Sequence, residues 1–433
     1  MKTNIFMGLK DFFILWSTQT LSGFGTAMTN FALVIWVYQQ AGTAQSLTLL
    51  MICAFLPTIC FRFIAGAIAD RWNKKRIMLI SDLIAACGTA AIWLLYRHSA
   101  LQIWHLYVIN TLMSFMNAFQ SPAAYVATSL LVPKDQYLKV SGLQSFAGST
   151  ITILAPALGS ALLTFGGLEF VLMLDLMSFA VAFIALLMFI KIPDIAQKTE
   201  AAKETFIDSC MAGINYLREH AGMLRLILFF AAVNFLAKMG NDGMLPVFIL
   251  SKSNGDQQAL GMAQAAVALG ILVGSLLVTF IKPARRKTRL IFIACACTFA
   301  LGGVGLSLSR TLMMWLVCSF LSYVPVAILG ANLTAVMREG VPVEMQGRVF
   351  SAQSTLQNFS IPIGLYLGGV LADHLFEPFM AKVSPIRSAL VPLFGAGKGA
   401  GVALMFFIVG IIGCLMSLSA LRNPIYRSLD TKQ

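Results

Sequence analysis

Charge is scarce in this chain. Of its 433 residues only 11% are Asp, Glu, Lys or Arg, against about 25% in an ordinary soluble domain. So little charge excludes a surface solvated on all sides. Acid is scarcer still, with 18 Asp and Glu against 31 Lys and Arg. The four histidines are dispersed, and no HExxH, GxSxG or DxDxDG-type pattern is present. Nucleophilic and metal-dependent hydrolysis are therefore not expected, nor is any cofactor. The eight cysteines form no CxxC spacing and read as free thiols packed like small apolar groups. The glycine-rich GAGKGAG at 395–401 has Gly399 after Lys398 where a phosphate loop needs Ser or Thr, so it reads as a flexible lead into the last helix.

What is present is hydrophobic length, at 58% of all residues. Stretches such as 11–39, 44–69, 141–165, 168–190, 223–250 and 399–421 each exceed the roughly 20 apolar residues that cross a hydrocarbon core as helix. Twelve such segments are expected. A pI of 9.5 is a usual footprint of nucleic-acid binding, but the placement of the bases argues for a membrane instead. With helix 1 starting in the cytoplasm, 23 of the bases fall in loops and tails on that side and 6 on the other. The positive-inside rule then puts both termini in the cytoplasm.

The only long polar interval is 193–222, which divides the chain into halves at 1–192 and 223–433. Within it Phe206, Cys210, Ile214 and Leu217 recur at helical spacing, as in an amphipathic helix lying on the membrane surface. The halves echo each other. Gly66 and Gly274, Pro133 and Pro342, and Gly159 and Gly368 stand 208 or 209 residues apart. Landmarks at one offset indicate a parallel repeat, as in transporters made of two similar halves.

Residues 60–76, CFRFIAGAIADRWNKKR, hold the densest base. The run Gly66-x-x-x-Asp70-Arg71, followed by Lys74 and Lys75, resembles the gating motif between helices 2 and 3 of the major facilitator superfamily, with Asn73 in place of a glycine. Further runs, among them MLISDLIAA, QSPAAYVATSLLVP, LDLMSFAVAFIALL and PIGLYLGGVLAD, are similar to its macrolide-efflux branch. The resemblance implies an all-α fold of twelve membrane helices in two six-helix halves, and a secondary exporter in a bacterial cytoplasmic membrane. It further implies export of small amphipathic, drug-like or natural-product molecules in exchange for protons by a monomer embedded in lipid. A dedicated exporter of a self-made metabolite such as a siderophore, or a lipid flippase, would share these features. A non-transporting sensor is disfavoured, because no cytoplasmic domain is present. At the family's helix 4 arginine, nine residues before Pro122, this chain has Met113. The exporter signature of helix 5 falls on Ile151, Ala155, Pro156, Gly159 and Ser160, with Pro156 and Gly159 as its hinge.

An ionised group at a bilayer centre costs about 2.5–3.5 kcal/mol, so each intramembrane charge needs a reason. Arg62, eight residues before Asp70, and Asp82, six beyond Arg76, lie at roughly 12 and 9 Å depth. They form either a structural ion pair or part of a proton path. Asn234, Lys238 and Asp242 recur every four residues on one face of helix 7. Lys238 and Asp242 either neutralise each other or form a proton site that contacts substrate. Asp175 is either a structural hydrogen-bonding group or a further charge site, and Glu169 reads as a solvated loop acid. By the resemblance, helices 1, 4, 7 and 10 line a cavity and offer Gln19, Asn30, Phe31, Asn110, Asn117, Asn234, Phe235 and Tyr323.

Overall fold

In the computed structural model, residues 2–133, 136–192, 214–280 and 286–426 are described. All regular structure among them is helical: α1 Lys2–Ala41, α2 Ala44–Arg71, α3 Lys74–Arg97, α4 Ile103–Leu131, then α5 (137–166) and α6 (168–188). There follow α7 Ala221–Met239, α8 Asn241–Lys252, α9 Gln257–Phe280, α10 Lys287–Phe299, α11 Leu306–Leu308 and α12 Leu312–Gly340. The chain closes with α13 Val343–Asn358, α14 Ser360–Leu371, α15 Glu377–Ala381, α16 Pro385–Phe394 and α17 Ala400–Arg422. Two π-helical turns interrupt the second part, at Ala300–Gly305 and Ala372–Phe376.

Helix suits this sequence because lipid offers no partner to a free backbone N–H or C=O. Ten stretches of the described residues are long and apolar enough to cross a membrane. One of them, Gly142–Met188, turns at Gly167, whose φ of 68° is open to glycine, and so supplies both α5 and α6. α4 falls outside the ten because it carries Asn110, Ser114, Asn117 and Gln120. With it the arrangement is consistent with twelve crossings.

The chain divides into two compact units, Met1–Ala41 with Leu49–Ala201, and Gly42–Thr48 with Ala202–Gln433. In the first, α1 packs along α5 and α6, and α3 along α4. Phe12, Leu15, Met78, Ala127, Leu131 and Leu186 close one end with an apolar plug. The basic loop is anchored there. The Asn73 side chain accepts from the Arg76 N–H at 3.0 Å and caps α3, a use for the residue that replaces the motif's glycine. Lys75 Nζ donates to the carbonyls of Leu187 at 3.0 Å and Ile190 at 2.8 Å, just past the end of α6. Lys74 is buried. The side chains of Arg62, Gly66, Asp70 and Arg71 lie outside the described residues, as do Phe206 and Cys210 of the expected surface helix. Residues 214–219 of that stretch are helical.

In the second unit α12 packs along α9 and α10, and α14 along α7. The expected continuous helix over 223–250 is broken. Gly240 adopts φ −107° and ψ −127° between α7 and α8. The first turn of α2, part of this unit, is capped by Asp373, whose carboxylate accepts from the N–H groups of Ala44 at 3.0 Å and Gln45 at 2.7 Å. GAGKGAG is a turn with left-handed backbone at Gly395, Gly397 and Gly399, and α17 starts at Ala400. The seven described cysteines are all unpaired thiols.

Candidate functional site

The first unit encloses a polar cavity of about 480 Å³ between α1, α3 and α4. Two helical stripes build its wall. On α4 the lining residues include Asn110, Met113, Asn117 and Gln120, and on α1 Gln19, Ser22, Thr26 and Asn30. Steps of three and four residues keep each set on one helix face. The stripes are held in place by the α2–α4 crossing, where the Thr58 hydroxyl donates to the Ser114 carbonyl at 2.8 Å and the Ser114 hydroxyl to the Ala54 carbonyl at 2.7 Å.

Asp82 of α3 lies on this wall, 3% exposed, and is the one carboxylate among the lining residues. Gln19 Nε2 donates to its Oδ2 at 3.2 Å and Gln120 Nε2 to its Oδ1 at 2.5 Å. Among the described residues no Lys, Arg or His lines the cavity, and Met113 stands where the family pattern has its arginine. Amide partners have a chemical consequence. Each glutamine carries a donor and an acceptor on the same group, so an amide flip lets it serve either an ionised carboxylate or a protonated one. Gln19 also borders a second cavity of about 400 Å³ lined by Trp16, Tyr125, Thr128 and Gln144. The Trp16 indole N–H there is buried without a partner.

Asp175 is fully buried behind the first cavity. Thr26 and Thr89 hydroxyls stand 3.4 and 3.3 Å from its two oxygens, and a Cβ on Gly25 would collide with it. Thr26 therefore touches Asp175 and also lines the cavity.

In the second unit Lys238 Nζ lies 2.5 Å from Asp242 Oδ2, and the Tyr323 hydroxyl donates to Asp242 Oδ1. The helix break arranges this pair. Lys238 sits in the last turn of α7 and Asp242 in the first turn of α8, each with the sign its half-helix terminus favours. The break depends on small residues. A Cβ on Gly243 would collide with the Lys238 carbonyl oxygen, and Gly364 and Gly368 of α14 lie against the carbonyls of Phe235 and Met239. Gly302, in the first π-helical turn, admits the Asn241 amide beside Ser322, and the Asn241 carbonyl oxygen there has no partner.

Several expected positions take other roles. Phe31 is 4% exposed and packs on Gly159, so it belongs to the α1–α5 contact and not to a cavity wall. Glu169 is tied down, accepting from the Trp93 indole N–H at 3.2 Å. Asn234 donates to the Gln357 carbonyl at 3.3 Å, away from the Lys238–Asp242 pair. Pro156 lies inside α5 and Gly159 admits the α1 backbone at Met28. Asn30, Asn110 and Asn117 all line the cavity. Gln120 is the residue the sequence reading passed over, although its spacing from Asn110, Met113 and Asn117 marks the stripe.

The profile of the Major Facilitator Superfamily matches residues 15–365. The chain belongs to the Major Facilitator Superfamily. It is a multi-pass membrane transporter and not an enzyme. Within the superfamily it is similar to "Macrolide efflux protein A" of Streptococcus pyogenes, 26% identical over 369 residues that cover 84% of this chain and 90% of that protein. It is also similar to "Enterobactin exporter EntS" of Shigella flexneri, 22% identical over 338 residues, or 77% of this chain and 76% of that one. The inward-facing, unoccupied crystal structure of a bacterial homologue of the human lysosomal transporter Spinster shares its fold, with a TM-score of 0.67 over 98% of both chains at 17% identity.

Proposed function

We infer that this transporter exports small amphipathic molecules across a bacterial cytoplasmic membrane by alternating access, in exchange for protons. The observation that carries this reading is the Asp82 carboxylate, set among amides in a polar cavity with no base among its described lining residues. Such a wall suits a protonated amine flanked by hydroxyl or carbonyl groups. The carboxylate attracts the cation, and the Asn and Gln stripes of α1 and α4 meet its neutral polar groups. Proton and cationic substrate then compete for one carboxylate. An ionised acid favours loading, and its protonation favours release, because a neutral acid no longer holds the cation and is cheaper to keep in the membrane.

Met113 supports this division of labour, since it adds no charge to the cavity wall where the family pattern has an arginine. Asp242, paired with Lys238, is the corresponding candidate in the second unit, and Asp175 is a reserve site that reaches the cavity through Thr26. Gly66, Asp70, Arg71, Lys74 and Lys75 form the gating loop, on the cytoplasmic side together with both termini, and Arg62, deeper in α2, is a further candidate charge site. The halves 1–192 and 223–433, joined by 193–222, work as one monomer within lipid.

Uptake into inside-out vesicles under an imposed pH gradient tests the reading, with macrolides, cationic dyes and siderophores as probes. The expected result is gradient-dependent accumulation of basic compounds that Asp82→Asn abolishes and Asp82→Glu retains in part. Accumulation that persists in Asp82→Asn, or that ignores a protonophore, would refute proton exchange at Asp82. Uptake of a single catecholate compound would instead favour a dedicated exporter of a self-made metabolite, the reading that similarity to an enterobactin exporter supports.

A further inference from the structure

The few bases that break the charge asymmetry of this chain are not spread evenly. Among its membrane stretches, Ala221–Lys252, Lys287–Leu308 and Arg348–Ala381 all end on one side, since each is separated from the next by a single returning crossing. Lys252, Arg310, Lys382, Arg387 and Lys398 lie at that end of the second unit, whereas Arg97 alone serves the first. A cluster of this kind runs against the positive-inside rule, and of its members Lys252 has the Glu377 carboxylate nearby.

The cluster is built on α16. Lys252 Nζ donates to the Phe394 carbonyl at 2.5 Å, and an Arg310 Nη2 group to the Pro392 carbonyl. Both carbonyls belong to the last turn of α16, so the two cations satisfy its free C-terminal oxygens. Arg387 Nε donates to the Met380 carbonyl at 2.8 Å. The nearby acid, Glu377, is committed to the start of α17, accepting from the Val402 N–H at 3.1 Å. Arg310 is exposed and has five donors, of which this contact engages one.

Next to Arg310 in the chain, starting at its neighbour Ser309, is an apolar groove of about 360 Å³. Its walls are Leu308 on α11 and Met313, Met314, Val317 and Cys318 on α12, and Arg310 stands in the turn that joins them. The groove faces outward, with Met313 at 69% exposure, in a part of the chain that crosses the membrane. Beside it α16 exposes Ile386 and Leu393, the apolar face of a short helix lying at the membrane surface.

We propose that this end of the second unit holds one phospholipid, with its phosphate on the guanidinium of Arg310 and one acyl chain in the groove between α11 and α12. The planar guanidinium matches a phosphate with two parallel donors, and the groove lies on the two helices that the Arg310 turn joins, within reach of a chain attached to that phosphate. The lipid neutralises the cluster and holds α16 against the membrane surface.

Photo-crosslinking tests the site. The purified full-length protein in detergent is incubated with phosphatidylglycerol carrying a diazirine on one acyl chain, irradiated, and its peptides mapped by mass spectrometry. Crosslinks are expected to concentrate on 305–318, to fall at least fivefold in Arg310→Gln, and to leave that segment in Val317→Trp, which fills the groove. Thermal unfolding checks that each variant is folded. If Arg310→Gln loosens α16 and unfolds, Val317→Trp decides alone, since it leaves every contact of α16 in place. Crosslinks spread evenly over the apolar surface, or unchanged by Val317→Trp, would overturn the proposal.

Discussion

The two units of this transporter keep an acid in the membrane by opposite means. In the first, Asp82 is surrounded by neutral amides from α1 and α4, beside an open polar cavity. In the second, Asp242 is answered by a cation and a phenol at the point where a helix is broken. Amides tolerate either charge state, whereas an ammonium demands the ionised one. The first arrangement suits a group that changes its charge in use, and in the second the ionised pair also sits at a backbone break. Similar halves can thus carry different chemistry, because the repeat preserves packing landmarks and leaves polar side chains free to diverge.

The comparison is open to experiment at several depths. The largest effect is expected at Gly243, where a side chain meets the Lys238 carbonyl: Gly243→Val should cost about 3 kcal/mol and leave little folded protein, read by size-exclusion yield and thermal unfolding. A Gly243→Val protein of normal stability would mean that the break at Gly240 is not the native backbone. Next comes the contrast between the acids. Asp242→Asn strands the Lys238 ammonium, and with side chains 28% and 32% exposed the loss should be about 2 kcal/mol, less than for a fully buried pair. Lys238→Met combined with Asp242→Asn should recover most of it. Asp82→Asn, whose new amide still pairs with Gln19 and Gln120, should cost under about 1 kcal/mol while abolishing gradient-driven uptake. Equal destabilisation by the two Asp→Asn changes would erase the distinction.

Met113→Arg sharpens the point from the other side. It adds a permanent cation to the cavity wall, so uptake of basic probes should fall about tenfold while uptake of neutral ones is retained, measured in the same vesicles. The smallest effect is expected at Asp373, where Asp373→Ala removes a cap from the first turn of α2 and should cost about 1 kcal/mol in thermal unfolding.

Much of the site was legible before any coordinates. Asn30, Asn110 and Asn117 were found because polar residues on a membrane helix are rare enough to be noticed singly. Gln120 stands out only when the α4 residues are taken together, because their spacing of three and four carries the stripe. Phe31 was misplaced for the complementary reason. An aromatic ring is equally at home in a pocket and in a helix contact, and only Gly159 opposite it decides between them. The break in helix 7 left a local trace in Gly240 and Gly243, but hydropathy runs through it without interruption.

Long apolar stretches and the motifs of the family could be read from the chain without any contact known. The stretches follow from the cost of exposing charge or backbone to lipid, which each residue bears regardless of its neighbours. Tertiary structure alone decided which group answers each buried charge: amides at Asp82, a cation and a phenol at Asp242, threonines at Asp175, an indole at Glu169. A hydrogen bond needs its partner within about 3 Å. Residues from separate helices reach that distance only through the packing of glycines such as Gly25, Gly159 and Gly364, whose effect is spent on a neighbouring helix rather than on their own.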